Sequence, residues 1–332
     1  MSSSLDDLDI SPFDSEGLQY IWNASSIITA ETCLRKYQYE VLEGWENPRK
    51  SVHLLFGGWY AQALERYYLL CAEGMSSNDA LCEVVHDTLK ATWFYEDIQT
   101  DLPDNLQDLP ADIKKDLLDK RINPPKVGRP WQSDHNTKTR ETLIRSIVWY
   151  VDHFEGEGIT TVILAGGKPA VELRFSIDLD NGLLLIGKLD RLVNYGDEIY
   201  VMDQKTTGAT ITQRYFEGWS PDTQMSAYTF AGQALYKLPI KGVILDAAQI
   251  AVGFTRFERG FIFRSAAQLD EWYASALYHI EAARAATALG RFPMNHASCG
   301  NYVGCEFRAV CSRSPEVRGQ FLKGDFVRKE RQ

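Results

Sequence analysis

Asp190, Asp203 and Lys205 are the residues of this chain whose types and spacing best suit a chemical reaction. Side chains alternate between the two faces of a strand, so Asp203 and Lys205, two positions apart, are expected to project to the same side. Carboxylate oxygens suit a hard cation such as Mg²⁺, and a lysine beside the metal can position a water molecule for phosphodiester hydrolysis. The alternative is a set of charges on a solvated strand face, because such short motifs often occur by chance.

Two apolar stretches must position this group. The stretches LLLIGKLDRLV and EIYVMDQ flank the turn-like segment Asn194–Asp197 and together predict a β-hairpin. Asp190 lies toward the end of the first stretch and is therefore expected to come beside Asp203 and Lys205. The sequence thus predicts two carboxylates and one ammonium at the end of a half-buried hairpin.

A helix is predicted downstream of the hairpin. Ser220 suits its N-cap, Pro221 its first position and Asp222 the positive end of its dipole. Gln224 and Tyr228 are four residues apart and therefore share one helical face. On their own they form a polar pair on an amphipathic helix. Beside the hairpin, they would present an amide and a phenol to the substrate of a metal site.

Taken in order, these motifs resemble the RecB-type branch of the PD-(D/E)xK nucleases. The matching elements are G-K-x-D at Gly187–Asp190, D-x-K-T-T-G at Asp203–Gly208 and Q-x-x-x-Y at Gln224–Tyr228. The resemblance implies an α/β fold of the restriction-endonuclease type, a mixed central sheet flanked by helices, with helical additions. It implies that Asp190 and Asp203 bind Mg²⁺ or Mn²⁺ and that Lys205 serves the attacking water. Gln224 and Tyr228 would contact DNA or orient the site.

An upstream predicted helix, Leu54–Gly74, resembles a further motif of this family, G-x-x-x-H-x-x-L-E, but lacks its histidine. When Leu64 and Glu65 are aligned with the motif, Ala61 takes the place of the histidine. Glu65 is then the helical carboxylate expected to reach the metal, directly or through water. The alternative is an ordinary exposed glutamate. Glu172, in the alternating stretch AVELRFSIDL, is a further candidate, with a structural strand carboxylate as its alternative.

Four of the six cysteines form a second constellation. Cys299, Cys305 and Cys311 are spaced C-x5-C-x5-C, and Cys33 lies far away in a predicted helix that Thr29 could cap. Three clustered thiols and one remote thiol resemble the iron–sulfur staple of this nuclease branch, as in AddB and the CRISPR-associated Fe–S exonucleases. The resemblance implies a 4Fe–4S cluster that ties the N-terminal helix to the C-terminus. The spacing departs from the family's usual one, in which the first or second gap is shorter.

Other roles for these four cysteines stay open. A structural zinc site favours short gaps such as C-x2-C, and none occurs here. Disulfides are disfavoured without a secretory signal, because the cytosol keeps thiols reduced. Free buried cysteines are the simplest alternative, but the cluster lies in a Gly/Asn-rich tail, which argues against core packing. The remaining two, Cys71 and Cys82, have apolar helical surroundings and are predicted to be small core residues.

Composition limits the class of protein. With 332 residues and 45% hydrophobic content, the chain can bury a sizeable core. Neither a run of about 18 apolar residues nor a signal-peptide pattern occurs, so a cytoplasmic protein without a membrane partner is expected. The net charge of −10 is unfavourable for binding DNA, but residues 113–145 carry +5 and residues 308–332 carry +4. These two basic zones could meet phosphates, or they could be ordinary solvated side chains.

The predicted organisation is an acidic, flexible arm over residues 1–22 and a single nuclease domain over residues 23–332. Within that domain we predict an insertion at 97–136 beside the substrate path, a catalytic core at 169–236 and the cysteine group at 295–315, joined by Cys33. Helices are predicted at about 29–43, 53–74, 77–96, 137–155 and 222–236, followed by a long helix after residue 266. Strands are predicted at 169–179, 183–194 and 198–204, and a later hairpin has its predicted turn near Phe254–Gly260.

These features together predict a metal-dependent DNA nuclease, most simply an exonuclease that acts on DNA ends or single strands in DNA processing, recombination or repair. A helicase or recombination protein is its expected partner. Two alternatives are a non-catalytic DNA-binding subunit of a recombination complex and a nuclease that acts on RNA. The intact Asp190–Asp203–Lys205 set argues against the non-catalytic alternative.

Overall fold

The computed structural model describes residues 10–49, 51–97, 107, 109–122, 126–236, 238–301 and 304–329. The chain forms two compact units. The first comprises Met1–Ser51, Gly156–Gln249 and Arg256–Gln332, and the second comprises Val52–Glu155 and Ile250–Thr255. Val52–Glu155, which lies within the single nuclease domain predicted over residues 23–332, forms most of the second unit. Within the described residues, no helix is long and apolar enough to cross a membrane.

The strands and helices of both units are numbered here in the order in which they occur along the chain. The strands are β1 (Ile21–Trp22), β2 (Trp45–Glu46), β3 (Trp93–Asp97), β4 (Lys126–Pro130), β5 (Thr160–Thr161), β6 (Val171–Leu179), β7 (Leu183–Tyr195), β8 (Glu198–Thr207), β9 (Ile240–Ile250), β10 (Thr255–Ile262) and β11 (Val327–Arg328). The helices are α1 (Ala24–Thr32), α2 (Leu34–Tyr37), α3 (Val52–Ala72), α4 (Ser77–Ala91), α5 (Ala111–Ile122), α6 (Arg140–His153), α7 (Gln213–Glu217), α8 (Thr223–Tyr236), α9 (Ala266–Leu289), α10 (Arg308–Cys311) and α11 (Arg318–Asp325). The strands predicted at 169–179, 183–194 and 198–204 agree with β6, β7 and β8 to within three residues.

Strand β7 is the centre of the main sheet, whose order is β1-β7-β8-β9-β10, with β5 and β6 also paired to β7. Strand β6 runs antiparallel to β7 along one edge. On the other edge, β8 pairs with β7 only between Arg191 and Tyr195, and β1 pairs in parallel with Leu184 and Leu185. Beyond Met202, β8 continues in parallel beside β9. The sheet therefore forks where β8 leaves β7.

The buried face of this sheet is covered by helices. Strand β6 alternates between buried and exposed side chains along its whole length, as the pattern AVELRFSIDL predicts. Its apolar residues Leu173, Phe175 and Ile177 belong to the main core, to which α1, α8 and α9 also contribute buried side chains. This packing fixes α8 against the catalytic hairpin predicted from sequence.

The N-terminal segment differs from its prediction in two respects. Ile21 and Trp22 form β1 and Trp22 is fully buried, so these two residues do not belong to the flexible arm predicted over residues 1–22; residues 1–9 lie outside the described residues. The predicted cap at Thr29 is also wrong, because Asn23 caps α1 through a reciprocal bond pair with Ser26. The helix then breaks at an extended residue, Cys33, before α2 begins.

The second unit is built from α3, α4 and α6, which pack on one another, and from the antiparallel pair β3–β4. The helix predicted to end at residue 96 ends at Ala91, because the next residues form β3. The predicted insertion at 97–136 contains α5 and β4, and its residues 98–106, 108 and 123–125 lie outside the described residues. The later hairpin turns at Ala251–Phe254, where the Ala251 N–H donates to the Phe254 carbonyl at 3.0 Å, and not at Phe254–Gly260.

Candidate active site

Asp190 and Asp203 lie at the fork of the main sheet. The last antiparallel pair of β7 and β8 is Arg191 with Met202, and each aspartate is the next residue on its strand. The Gln204 N–H donates to Asp190 Oδ2 at 3.2 Å, so a main-chain group of β8 holds the carboxylate of β7. The structure thus brings together the two carboxylates that the sequence predicts as metal ligands.

Gly187 of the G-K-x-D motif has a packing role in this arrangement. It lies opposite Phe175 on β6, and a Cβ atom at Gly187 would come 2.4 Å from Phe175 Cζ. Any larger residue would therefore have to displace the buried Phe175 ring, which packs over β7 close to Asp190.

Asp203 is the most buried charged group of the site, with 1% of its surface exposed. Lys205 projects to the same side, as strand alternation predicts, and its Nζ lies 2.5 Å from Asp203 Oδ2. Burial raises the pKa of Asp203 to about 7; the nearby charge of Asp190 adds to this shift, whereas Lys205 opposes it. Burial also raises the pKa of Asp190. Lys205 and Lys188 oppose this shift of Asp190 without cancelling it. The positive charges nearby therefore do not compensate the two adjacent carboxylates, which favours the binding of a further cation.

Helix α8 adds an amide and a phenol to this site. The Gln224 Nε2 donates to Tyr228 Oη at 2.8 Å, and Tyr228 is buried. Burial raises the pKa of Tyr228, and the charges of Asp203 and Asp190 raise it further, so its hydroxyl lies within electrostatic reach of both carboxylates. The predicted cap at Ser220 is wrong.

The helix starts at Thr223 and is capped by the residue before it. Asp222 Oδ1 accepts a hydrogen bond from the Met225 N–H at 2.9 Å. The cap fixes the first turn of α8, which carries Gln224, and thereby the direction in which this amide projects.

The donor set fits a hard divalent cation. Asp190 and Asp203 offer carboxylate oxygens, and Mg²⁺ commonly binds one or two carboxylates while it keeps water or phosphate oxygens as further ligands. Within the part of the chain that the structure describes, no group of three or more His, Cys, Asp and Glu residues is close enough to hold a metal ion. Glu65 lies on α3 in the second unit, half-buried, and its role as a metal ligand stays a prediction.

Glu172 lies beside the site on β6. Its neighbours Val171 and Leu173 pair with Arg191 and Leu189, which places Glu172 at the level of Asp190. It adopts a left-handed φ of 54° and forms an ion pair with Lys188, and its charge contributes to the raised pKa of Asp190.

Two aromatic residues of the site were not predicted from sequence. Lys205 Nζ lies 5.4 Å from the centroid of the Trp219 ring, and Trp219 is half-buried. Burial raises the pKa of Tyr215 to about 12, and the charge of Asp203 adds to the shift. Both residues come from the aromatic run YFEGW between the D-x-K and Q-x-x-x-Y motifs, and this run is the signal that could have revealed them.

The cysteine segment near the C-terminus contacts the junction between α1 and α2. The Asn295 N–H donates to Cys33 Sγ at 3.4 Å, and the side chains of Asn295 and Ser298 donate to the Thr32 carbonyl at 2.9 and 3.0 Å. The Cys305 N–H donates to the Cys299 carbonyl at 3.1 Å. The structure therefore brings the remote Cys33 beside the C-terminal group.

The thiols of this segment interact with one another. Burial raises the pKa of Cys305 and Cys311, and Cys33 raises both further by its charge; Cys299 does the same for Cys305. Thiolates are the donors that iron–sulfur clusters use, but among the described residues no three of these thiols lie close enough together to hold a metal ion. Of the two predicted core cysteines, Cys71 is half-buried, whereas Cys82 is exposed. The prediction that Cys82 is a core residue is wrong, because α4 buries the helical face opposite to Cys82.

Comparison with known proteins identifies a family whose sequence profile matches this chain. The sequence profile of the PD-(D/E)XK nuclease superfamily matches residues 21–312. Among solved structures, the chain is similar to a candidate exonuclease from Eubacterium rectale, with 13% identity, a TM-score of 0.45 and coverage of 95% of this chain and 94% of that one. It is also similar to the protein VC1899 from Vibrio cholerae, with 13% identity, a TM-score of 0.21 and coverage of 76% and 62%. Comparison with curated protein sequences finds no match.

The profile match carries the assignment, because the two structural similarities are too weak to support an argument. It spans most of the chain and includes the forked hairpin, α8 and the cysteine group. Nucleases of this superfamily typically use Mg²⁺ or Mn²⁺, which agrees with the carboxylate donors at the fork. The chain belongs to the PD-(D/E)XK nuclease superfamily.

Proposed function

We propose that this protein is a metal-dependent DNA exonuclease that hydrolyses phosphodiester bonds at DNA ends or in single strands. The observation that supports the proposal most is the position of Asp190 and Asp203 at the fork of the sheet, with Lys205 against Asp203. A helicase or recombination protein would supply the single strands. Processing, recombination or repair of DNA would be its setting.

The site residues have separable roles in this proposal. A bound Mg²⁺ or Mn²⁺ ion would polarise the scissile phosphate and stabilise the leaving oxygen. Asp190 and Asp203 would hold that ion, and Lys205 would position the attacking water by hydrogen bonding. Because Tyr228 Oη accepts from Gln224, its own O–H can donate to a phosphate oxygen.

The test is digestion of end-labelled single-stranded and double-stranded DNA with Mg²⁺, Mn²⁺ or EDTA, with circular DNA and RNA as parallel substrates. An exonuclease degrades the linear DNA in a metal-dependent way and leaves the circles intact. Asp203→Asn is the control that excludes a contaminating nuclease. Cleavage of circles would replace the exonuclease assignment with an endonuclease, and preferential digestion of RNA would replace the substrate. DNA binding without cleavage under every condition would favour the non-catalytic subunit.

We further propose that Cys33, Cys299, Cys305 and Cys311 hold a 4Fe–4S cluster. The support is the contact of Asn295 with both Cys33 and Thr32, which joins the two chain ends that carry the thiols. A ligand set that assembles only in the folded state stabilises that state, so the cluster would act as a staple.

Anaerobic purification tests this second proposal. The protein is expected to be brown and to contain about four irons per chain. Cys33→Ala and Cys305→Ala are expected to lower thermal stability more than Cys82→Ala, which alters an exposed thiol. Zinc in place of iron would indicate a zinc staple. A metal-free protein of equal stability would contradict both.

A further inference from the structure

We infer that Trp219 is a stacking platform for the nucleobase beside the scissile phosphate, so that the site accepts an unpaired strand or a frayed end. The inference rests on the proposed function, because it names the form of substrate that the Asp190–Asp203 site takes. No motif of the family resemblance includes Trp219.

The topology places Trp219 next to the chemistry. The segment that carries it begins after β8, three residues beyond Lys205, and ends at α8, which carries Gln224. Both ends of the segment are therefore anchored at the active site. The short helix α7 lies within the segment, between β8 and α8.

Contacts within the segment fix the ring of Trp219. Lys205 Nζ lies 5.4 Å from the ring centroid, a cation–π distance. The Trp219 and Tyr215 rings meet at 64° with centroids 6.4 Å apart. The Trp219 ring is thus held by Tyr215 and by the Lys205 ammonium, while part of its surface stays exposed.

Phe216, in the same segment, packs on the main sheet. A Cβ at Gly260 on β10 would lie 2.1 Å from Phe216 Cδ1, so the Phe216 ring rests directly on the strand backbone. Trp219 also packs against the main core, but its ring contacts Lys205 as well. The two rings of one segment therefore differ in their contact with the lysine, and Phe216 supplies the matched control.

The chemistry of stacking selects the substrate. An aromatic ring can stack on any base, because every base has a π face. Within a duplex, both faces of a base are covered by neighbouring pairs, so only an unpaired or terminal base can meet the ring. Since Trp219 lies beside Lys205, the stacked base belongs to a nucleotide adjacent to the phosphate under attack.

The test is a set of single-stranded oligonucleotides that each carry one abasic site at a successive position from the labelled end. Wild-type enzyme is expected to slow about 10- to 100-fold at one position, the range that base–aromatic stacking contributes. Trp219→Leu is expected to slow by a similar factor on intact DNA and to lose the sensitivity at that position. Trp219→Phe should keep most of it, and Phe216→Leu should keep all of it.

If Trp219 stacks on the base, the abasic site and Trp219→Leu remove the same interaction, so their effects on the rate do not add. This separates stacking from an indirect effect of Trp219 on Lys205. If Trp219→Leu slows every substrate equally and keeps the positional sensitivity, the ring only orients Lys205 and the inference is wrong. If no variant cleaves DNA, the proposed function fails, and fluorescence anisotropy of the labelled strand then decides the inference. Weaker binding by Trp219→Leu than by Phe216→Leu would support the platform, and equal binding would overturn it.

Discussion

Two buried aspartates on neighbouring strands have different surroundings. Asp203 on β8 and Asp246 on β9 are 1% and 2% exposed. Asp246 pairs with Gln204, the residue that follows Asp203 on β8. Since side chains alternate along a strand, the two carboxylates face opposite sides of the sheet. Asp246 is 3.2 Å from Arg259 Nε. Asp203 has Lys205 and a second carboxylate beside it.

The arrangement of the charges distinguishes the two clusters more than their number does. Arg259 lies between Asp246 and Glu157, so that its guanidinium contacts both carboxylates, and Glu157 is 31% exposed. At the fork, Asp190 and Asp203 are adjacent, and burial raises the pKa of both. A cation of the protein lies between the carboxylates in one cluster, whereas in the other the two carboxylates are adjacent and, of the two, Lys205 contacts only Asp203 at hydrogen-bonding distance. Burial of charge alone therefore does not identify a site.

The largest expected effect is on activity. Asp190→Asn, Asp203→Asn and Lys205→Met should each lower the rate of DNA cleavage by about 10²–10³ or more, since each removes a charge used at the transition state. Glu157→Gln alters the exposed partner of the other cluster and should leave the rate within a few-fold. The measurement is the cleavage rate at saturating Mg²⁺, with circular dichroism as the check on folding. Full activity in Asp203→Asn would refute the catalytic assignment.

The next effect is on stability and concerns the other cluster. Arg259→Met removes the cation that contacts Asp246, and breaking a buried ion pair by removing one partner typically costs about 3–5 kcal/mol. Glu157→Gln should cost at most about 1 kcal/mol, because Glu157 is partly hydrated. Urea denaturation of the three proteins gives both values. A cost below 1 kcal/mol for Arg259→Met would show that Arg259 does not stabilise the Asp246 carboxylate, and the contrast between the two clusters would then be lost.

A third effect is the pH dependence of stability in the metal-free protein. The pKa of Asp203 is about 7 in the folded state and about 3.9 in the unfolded chain, so the folded state binds more protons between these values. Wild-type stability should therefore fall as pH rises from 4 to 7 and then level off. Asp203→Asn lacks this loss and should be more stable than wild type at pH 8 by about 1–3 kcal/mol.

Thermal denaturation in EDTA at pH 4 and pH 8 measures this difference, which should be small at pH 4, where the carboxyl is protonated in the folded state and about half protonated in the unfolded chain. Added Mg²⁺ should stabilise wild type at pH 8 and not Asp203→Asn, because a ligand of the folded state shifts the equilibrium toward it. A variant less stable than wild type in EDTA at pH 8 would show that Asp203 is compensated as Asp246 is.

The comparison also shows which parts of the molecule are predictable from sequence. Asp203 and Lys205, and Gln224 and Tyr228, follow from the periods of a strand and a helix, so local spacing was enough to place each pair. The partnership of Asp246 with Arg259 depends on how β9 turns back as β10, and the predicted turn was displaced. Local periodicity does not give that register.

Long-range folding explains the other differences. The extended Cys33 that separates α1 from α2 contacts a segment more than 250 residues away, through Asn295, and no local pattern records that contact. Trp219 lies beside Lys205 because the chain returns from β8 to α8, which the spacing of the motifs does not show. The sequence therefore predicts that Asp203 and Lys205, and Gln224 and Tyr228, lie side by side, but not that Trp219 lies beside Lys205.

The smallest expected effect concerns the pair on α8, which has no counterpart described beside Asp246. Gln224→Ala removes the hydrogen bond to Tyr228 Oη, and Tyr228→Phe removes the hydroxyl. A single hydrogen bond contributes about 0.5–1.5 kcal/mol, so each variant should lose up to about tenfold in cleavage rate. Because Asp190 and Asp203 are unchanged, a calorimetric titration with Mn²⁺ should give an affinity close to that of wild type. Loss of Mn²⁺ binding in Gln224→Ala would mean that the pair holds the metal ligands in place, and the separation between substrate contact and metal binding would then have to be abandoned.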